Sequence, residues 1–127
     1  MYTSIRYFSH SEAEALLSQL SPLLARIKVQ KEKIDIKFKV WEAAERGSKP
    51  EEAAVLRGQI EFMAKDIEEL IDQVHGHGCL LKDLSVGLID FPARIGGKEA
   101  YLCWKLGEPS VQFWHGIAEG YTGRKPL

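Results

Sequence analysis

Leu88-Ile89-Asp90-Phe91-Pro92-Ala93-Arg94-Ile95-Gly96-Gly97-Lys98-Glu99-Ala100-Tyr101-Leu102-Cys103-Trp104 decides the fold. Two alternating runs flank Gly96-Gly97, and two adjacent glycines free to take positive φ make a two-residue hairpin turn. Such a turn fixes the pairing: Arg94 opposite Glu99, Pro92 opposite Tyr101, Asp90 opposite Cys103, and Ile89 opposite Trp104. With a third strand over Val111 to His115, the expected element is an antiparallel meander of Leu88 to Ile95, Lys98 to Leu106 and Val111 to His115.

Alternation sorts these strands into two faces. Ile89, Phe91, Ala93, Ile95, Ala100, Leu102, Trp104 and Phe113 form the expected core face. Asp90, Arg94, Glu99, Tyr101, Cys103, Lys105, Gln112 and Trp114 form a second face, too polar for a core. Pro92 has no amide to donate, so the first strand needs an edge or a bulge there. Cys79 to Lys82 is a further short strand candidate, and Tyr2 to Phe8 alternates weakly enough to suggest an edge strand.

Upstream the period changes from two to about 3.5. Ser9-His10-Ser11-Glu12 reads as a capping box, with Phe8 placed to staple onto Ala13. Leu16, Leu20, Leu23, Ile27, Ile34 and Trp41 then make one apolar stripe, with Pro22 expected to bend the helix. Gly47 suits a left-handed helix end, Ser48 the next cap, and Glu51 a second capping box. Leu56, Ile60, Met63, Ile67, Leu70 and Val74 form a second stripe that stops at Gly76 and Gly78.

So short a connection makes the two helices antiparallel, with Ile34 near Met63 and Ile27 near Leu70. Charge supports that register. Arg26, Lys28, Lys31, Lys33, Lys37 and Lys39 outnumber Glu32 and Asp35, and they face Glu61, Asp66, Glu68, Glu69 and Asp72 against Lys65. Helix one outruns helix two, so Leu16, Leu17 and Leu20 need another apolar surface, which only the meander can supply.

The expected fold is therefore α+β: a long antiparallel, coiled-coil-like helical hairpin packed on a C-terminal three-stranded meander. One domain spans 1–127, with helix one at 9–46, helix two at 49–76, the meander at 79–115 and a tail at 116–127. The 127 residues, 45% hydrophobic and 28% charged, suffice for one modest core. A net charge of -1 excludes a global basic field for nucleic acid. No apolar run reaches the roughly 20 residues of a membrane span. The N-terminus lacks a signal-peptide order, so the expectation is cytoplasmic, with Cys79 and Cys103 as reduced thiols.

Several of these stretches resemble a known family. Asp83-Leu84, Gly87-Leu88-Ile89-Asp90-Phe91-Pro92-Ala93, Tyr101-Leu102-Cys103-Trp104-Lys105-Leu106-Gly107-Glu108-Pro109, Trp114-His115 and Gly120-Tyr121-Thr122-Gly123-Arg124-Lys125-Pro126-Leu127 are similar to an uncharacterised bacterial conserved-protein family, domain of unknown function 2203. The resemblance covers nearly the whole chain. It implies a helical hairpin with a C-terminal meander and implies no activity. The His75-Gly76-His77-Gly78 turn is not part of its pattern.

Two sets of residues carry possible chemistry. His75, His77 and Cys79 form an H-x-H-x-C run, with Cys103 and His115 as further metal ligands. Asp90, Arg94, Tyr101, Glu108, Trp114, His115 and Arg124 are candidates to line a pocket for a small polar ligand such as a nucleotide or carboxylate. An Asp90–Cys103–His115 catalytic arrangement is not expected, because the register above turns His115 toward the Trp104 face.

No GxGxxG, P-loop, HExxH or GxSxG arrangement occurs, so no catalytic residue is assigned and no cofactor is expected. The leading expectation is a non-enzymatic interaction or assembly module forming a homodimer that buries Trp114, Tyr101 and part of the hairpin stripe. The alternative is a small-ligand or metal-binding protein working from the polar face. Neither a membrane nor nucleic acid is an expected partner.

Overall fold

The structure, a computed structural model, describes residues 4–127. In chain order it comprises α1 (His10–Arg46), α2 (Pro50–His75), β1 (Leu80–Asp83), β2 (Leu88–Ile95), β3 (Lys98–Lys105), β4 (Phe113–Gly116), a 3-10 turn (Tyr121–Gly123) and β5 (Lys125–Pro126). The strands form one antiparallel sheet in the order β1-β2-β3-β4-β5. The class is α+β, with two strands more than the expected meander.

α1 starts where the capping box places it: Ser9 accepts from the Glu12 amide, and the Glu12 carboxylate accepts from the Ser9 amide. Its 37 residues against 26 in α2 make it about 55 Å long against about 39 Å. The helices are antiparallel and joined across the seam by Gln30 to Asp66 at 2.7 Å and Lys37 to Gln59 at 3.0 Å. These links agree with the predicted register to within one residue. The ion pairs here run along the helices instead, as in Lys31–Asp35 and Arg57–Glu61.

The connection departs from expectation. Ser48 takes the left-handed conformation (φ 55), Gly47 does not (φ -83), and Lys49 is the N-cap with no side-chain bond. Pro50 is the cause. It disfavours helical geometry at the residue before it, so Lys49 cannot be the first helical residue and Ser48 cannot be the cap. No second capping box forms.

The protruding end of α1 meets the sheet as its apolar excess requires. Leu20, Leu24, Ile27, Leu70, Val74, Ile89, Phe91, Leu102, Trp104 and Val111 share one buried cluster, with Leu16 and Leu17 packed against it. Each fully buried aliphatic or Phe side chain contributes about 1.5–3 kcal/mol. The Val111 amide donates to Glu14 and its carbonyl accepts from His10 Nε2 at 2.6 Å, so two side chains of α1 pin the loop before β4.

β2 and β3 pair in the predicted register throughout. Gly96 and Gly97 take φ 61 and 77, the positive pair that a two-residue hairpin needs. Pro92 sits where β1 has run out, since the last β1 partner of β2 is Asp90. There the Pro92 carbonyl accepts from the Phe8 amide at 2.7 Å, which ties down the segment before α1. Residues 4–9 form no strand, and Tyr2 and Thr3 lie outside the described residues. Among the described residues no helix is long and apolar enough to cross a membrane.

Candidate functional site

The third strand of the meander is where structure and sequence part. β4 pairs Cys103 with Phe113, Leu102 with Trp114 and Tyr101 with His115. Phe113 and His115 therefore share the polar face, while Trp114 lies on the core side, half-buried against the cluster. This reverses the expected facing of all three residues. The seven residues of the loop 106–112 carry no period to set the register, and a slip of one residue turns every side chain over.

The reversal brings His115 to Asp90. His115 Nε2 lies 3.0 Å from Asp90 Oδ1, the two side chains meeting above β3 from strands that are not neighbours. Cys103 is the direct partner of Asp90 on β3. One ligand-capable atom from each of the three lies within 4.8 Å of the others, the group of this kind found among the described residues. All are buried: Cys103 is 0%, Asp90 2% and His115 3% exposed.

His115 Nδ1 stands 2.8 Å from the Gly116 carbonyl. A carbonyl only accepts, so Nδ1 is the donor there, and Nε2 is the ring atom turned to Asp90. Burial pushes the Cys103 thiol up to about 11, against the pull of Arg124 and with the help of the Asp90 charge. At neutral pH Cys103 is a thiol and not a nucleophile.

The tail covers this face. Arg124 makes a bidentate pair with Glu108 at 3.0 and 2.6 Å, points Nη1 at Cys103 Sγ at 3.8 Å, and lies over the rings of Phe113 and Tyr121 at 4.0 and 4.5 Å. Behind it, β5 pairs Lys125 with Trp114 and Pro126 with Phe113. Glu119 is clasped by the Gly116 amide and Lys125, and a side chain at Gly116 would come within 2.9 Å of its carboxylate.

Between tail and sheet lies a cavity of about 310 Å³ bordered by Lys82, Asp90, Tyr101, His115, Glu119 and Tyr121. A larger, mainly apolar cavity of about 480 Å³ runs beside Arg6, Tyr7, Leu80, Pro92 and Ala100. Tyr101 and Ile117 border both.

Of the predicted ligand residues, Asp90, Tyr101 and His115 are gathered around one cavity. Glu108 and Arg124 satisfy each other as a latch. Arg94 stacks over Tyr7 at 4.3 Å, away from the Asp90–His115 cavity. Trp114 faces the other way, with Lys125 above its ring at 4.7 Å. Of the predicted metal ligands, Cys103 and His115 come together beside Asp90, but the H-x-H-x-C run does not join them: His75 Nε2 accepts from the Leu81 amide at 3.2 Å, Cys79 is buried with Sγ toward the Val74 carbonyl, and His77 is half-buried in the turn. Both cysteines are free thiols. Lys82, Glu119 and Tyr121 went unpredicted; nothing local marks them, because the tail brings two of the three to the cavity.

No curated protein and no solved structure matches the chain. A family model described as an uncharacterized conserved protein, DUF2203, matches residues 6–127, and the chain belongs to that family.

Proposed function

We propose that this protein is a binding module working from the outer face of its sheet, and that it takes a small ligand with a polar head and an apolar body. The observation that carries this reading is the buried Asp90–His115 pair beside a cavity. A carboxylate and an imidazole lose hydration when buried, and nothing in the packing of the helices requires them. The head is held by Asp90, His115 and Tyr101, and the body lies along Leu80, Pro92, Ala100 and Ile117 in the adjoining cavity.

Thermal-shift screening with aromatic carboxylates, amines and nucleosides tests the reading. A ligand present at about 100 times its Kd adds about 2.7 kcal/mol to stability. The expected result is a hit that Asp90→Asn abolishes and Arg94→Ala leaves intact. A hit indifferent to Asp90 and Tyr101 substitutions would sink the reading.

A second reading, self-assembly, is favoured by a different observation. The half of the hairpin remote from the sheet exposes Ile36 (65%), Val55 (62%) and Phe62 (77%), and among the described residues Trp41 Nε1 is enclosed without a hydrogen-bond partner. Sedimentation at low micromolar concentration should then give a dimer that Phe62→Glu dissociates. A monomeric wild-type chain ends that reading.

A further inference from the structure

We propose that Asp90, Cys103 and His115 form a mononuclear site for one zinc-like divalent cation, with its fourth position open toward the cavity. The proposal deepens the reading of the outer face as a binding surface. It also rests on geometry that no small-ligand hypothesis needs. Three residues supply one oxygen, one nitrogen and one sulfur, from three strands and on one face.

The spacing suits a tetrahedral ion. Bonds of about 2.0 Å to oxygen or nitrogen and about 2.3 Å to sulfur place ligand atoms roughly 3.3–3.7 Å apart. Here Asp90 and His115 stand at 3.0 Å and no pair of the three exceeds 4.8 Å, so side-chain adjustment of about an ångström closes the set.

Orientation is already fixed. A metal-bound histidine usually donates its other ring NH to a carbonyl or carboxylate, and His115 Nδ1 donates to the Gly116 carbonyl at 2.8 Å. That leaves Nε2, the atom beside Asp90, as the ligand. Arg124 Nη1 stands 3.8 Å from Cys103 Sγ, placed to donate to a sulfur that gains charge on binding, while Glu108 compensates the charge of Arg124.

Charge balances as well. A doubly charged ion bound by one carboxylate, one thiolate and a neutral imidazole gives a neutral site, which a buried position demands. Binding displaces the proton of the Cys103 thiol. Magnesium and calcium prefer all-oxygen sets, so a mixed set with a thiolate selects a borderline ion.

The test is a Co2+ titration of the full-length, untagged chain after chelation, followed by the thiolate-to-cobalt charge-transfer absorption in the near ultraviolet. The expected result is one Co2+ per chain, displaced by Zn2+. Cys103→Ser should lose the band while retaining the far-ultraviolet dichroism of the fold. Asp90→Asn and His115→Gln should weaken uptake by more than about 100-fold, since even supporting residues around a metal are worth 10- to 100-fold.

The double variant His75→Ala/His77→Ala should titrate as the wild type. A folded chain that takes up no stoichiometric Co2+, or one whose uptake is lost with His75 and His77, overturns the site. A chain that takes up no Co2+ yet shows an Asp90-dependent shift with an organic ligand overturns the metal site and leaves the cavity reading standing. Co2+ uptake with no organic hit supports the metal site and removes the cavity reading.

Discussion

The two faces of the sheet are buried to nearly the same depth by different means. On the inner face, Ile89 and Phe91 are fully buried and Leu102 and Trp104 nearly so, under two helices and with apolar neighbours throughout. On the outer face, Asp90, Cys103 and His115 are just as inaccessible, yet their cover is a short tail held by the Arg124–Glu108 ion pair, by Arg124 over the Phe113 ring and Lys125 over the Trp114 ring, and by two residues of β5. An apolar interior needs only shape and volume. A polar interior needs a partner for every group, so it places polar atoms at fixed distances. The inner face explains why the chain folds, and the outer face is where something specific can be recognised.

Phe91→Ala strikes the inner face hardest. Phe91 is fully buried and meets Phe8 edge to face at 5.1 Å, so its truncation removes core contacts and the seat of the segment before α1. The expected loss is about 3–5 kcal/mol, or roughly 10–20 °C in Tm. Calorimetry measures it, and a loss below about 1 kcal/mol would mean that the core does not sit between helices and sheet.

How far each face was legible follows from the same contrast. α1 could be read to within one residue because its signals are local: a capping box at Ser9–Glu12 and a glycine after Arg46. The β2–β3 pairing was legible because Gly96-Gly97 leaves only one register. The helix stripes, too, are periodic, interrupted in α1 by Gln30 and Lys37, which link across the seam.

β4 was not legible. Phe113 looks like a core residue from its type, yet it faces outward beneath the Arg124 guanidinium, where an aromatic face suits a cation. Taking Phe113 as inward placed His115 on the wrong side, and the Asp90–His115 pair vanished from view. β5 and the Glu108–Arg124 latch have no sequence period at all. The latch joins positions 16 apart, and both depend on geometry that exists only once β4 is in place.

The smaller effect is the sharper probe of the outer face, because it should leave the inner one untouched. Burial alone would raise the carboxyl of Glu108, but the Arg124 hydrogen bonds and the Lys105 amide outweigh it and hold it below its ordinary value of 4.5. A carboxyl depressed in the folded state stabilises most when ionised. The contribution of the latch is therefore present above the ordinary carboxylate range and lost as pH falls through the lower, folded value of Glu108. Glu119, held down first by the Gly116 amide and then by Lys125, titrates in the same direction, so Glu119→Gln is the control that separates them.

Arg124→Ala should remove the latch at any pH, for about 1–2 kcal/mol once the partial exposure of the pair is discounted. Hydrogen exchange reads both effects in one place. Protection at the amides of Arg124 and Leu127, which bond to the Tyr121 and Gln112 carbonyls, should fall with acid in the wild type and be low throughout in Arg124→Ala. Protection in β2 and α1 from Ala13 onward should hold in both. Tail protection that is flat with pH, or that falls together with that of β2, would mean the two faces are not separately held after all.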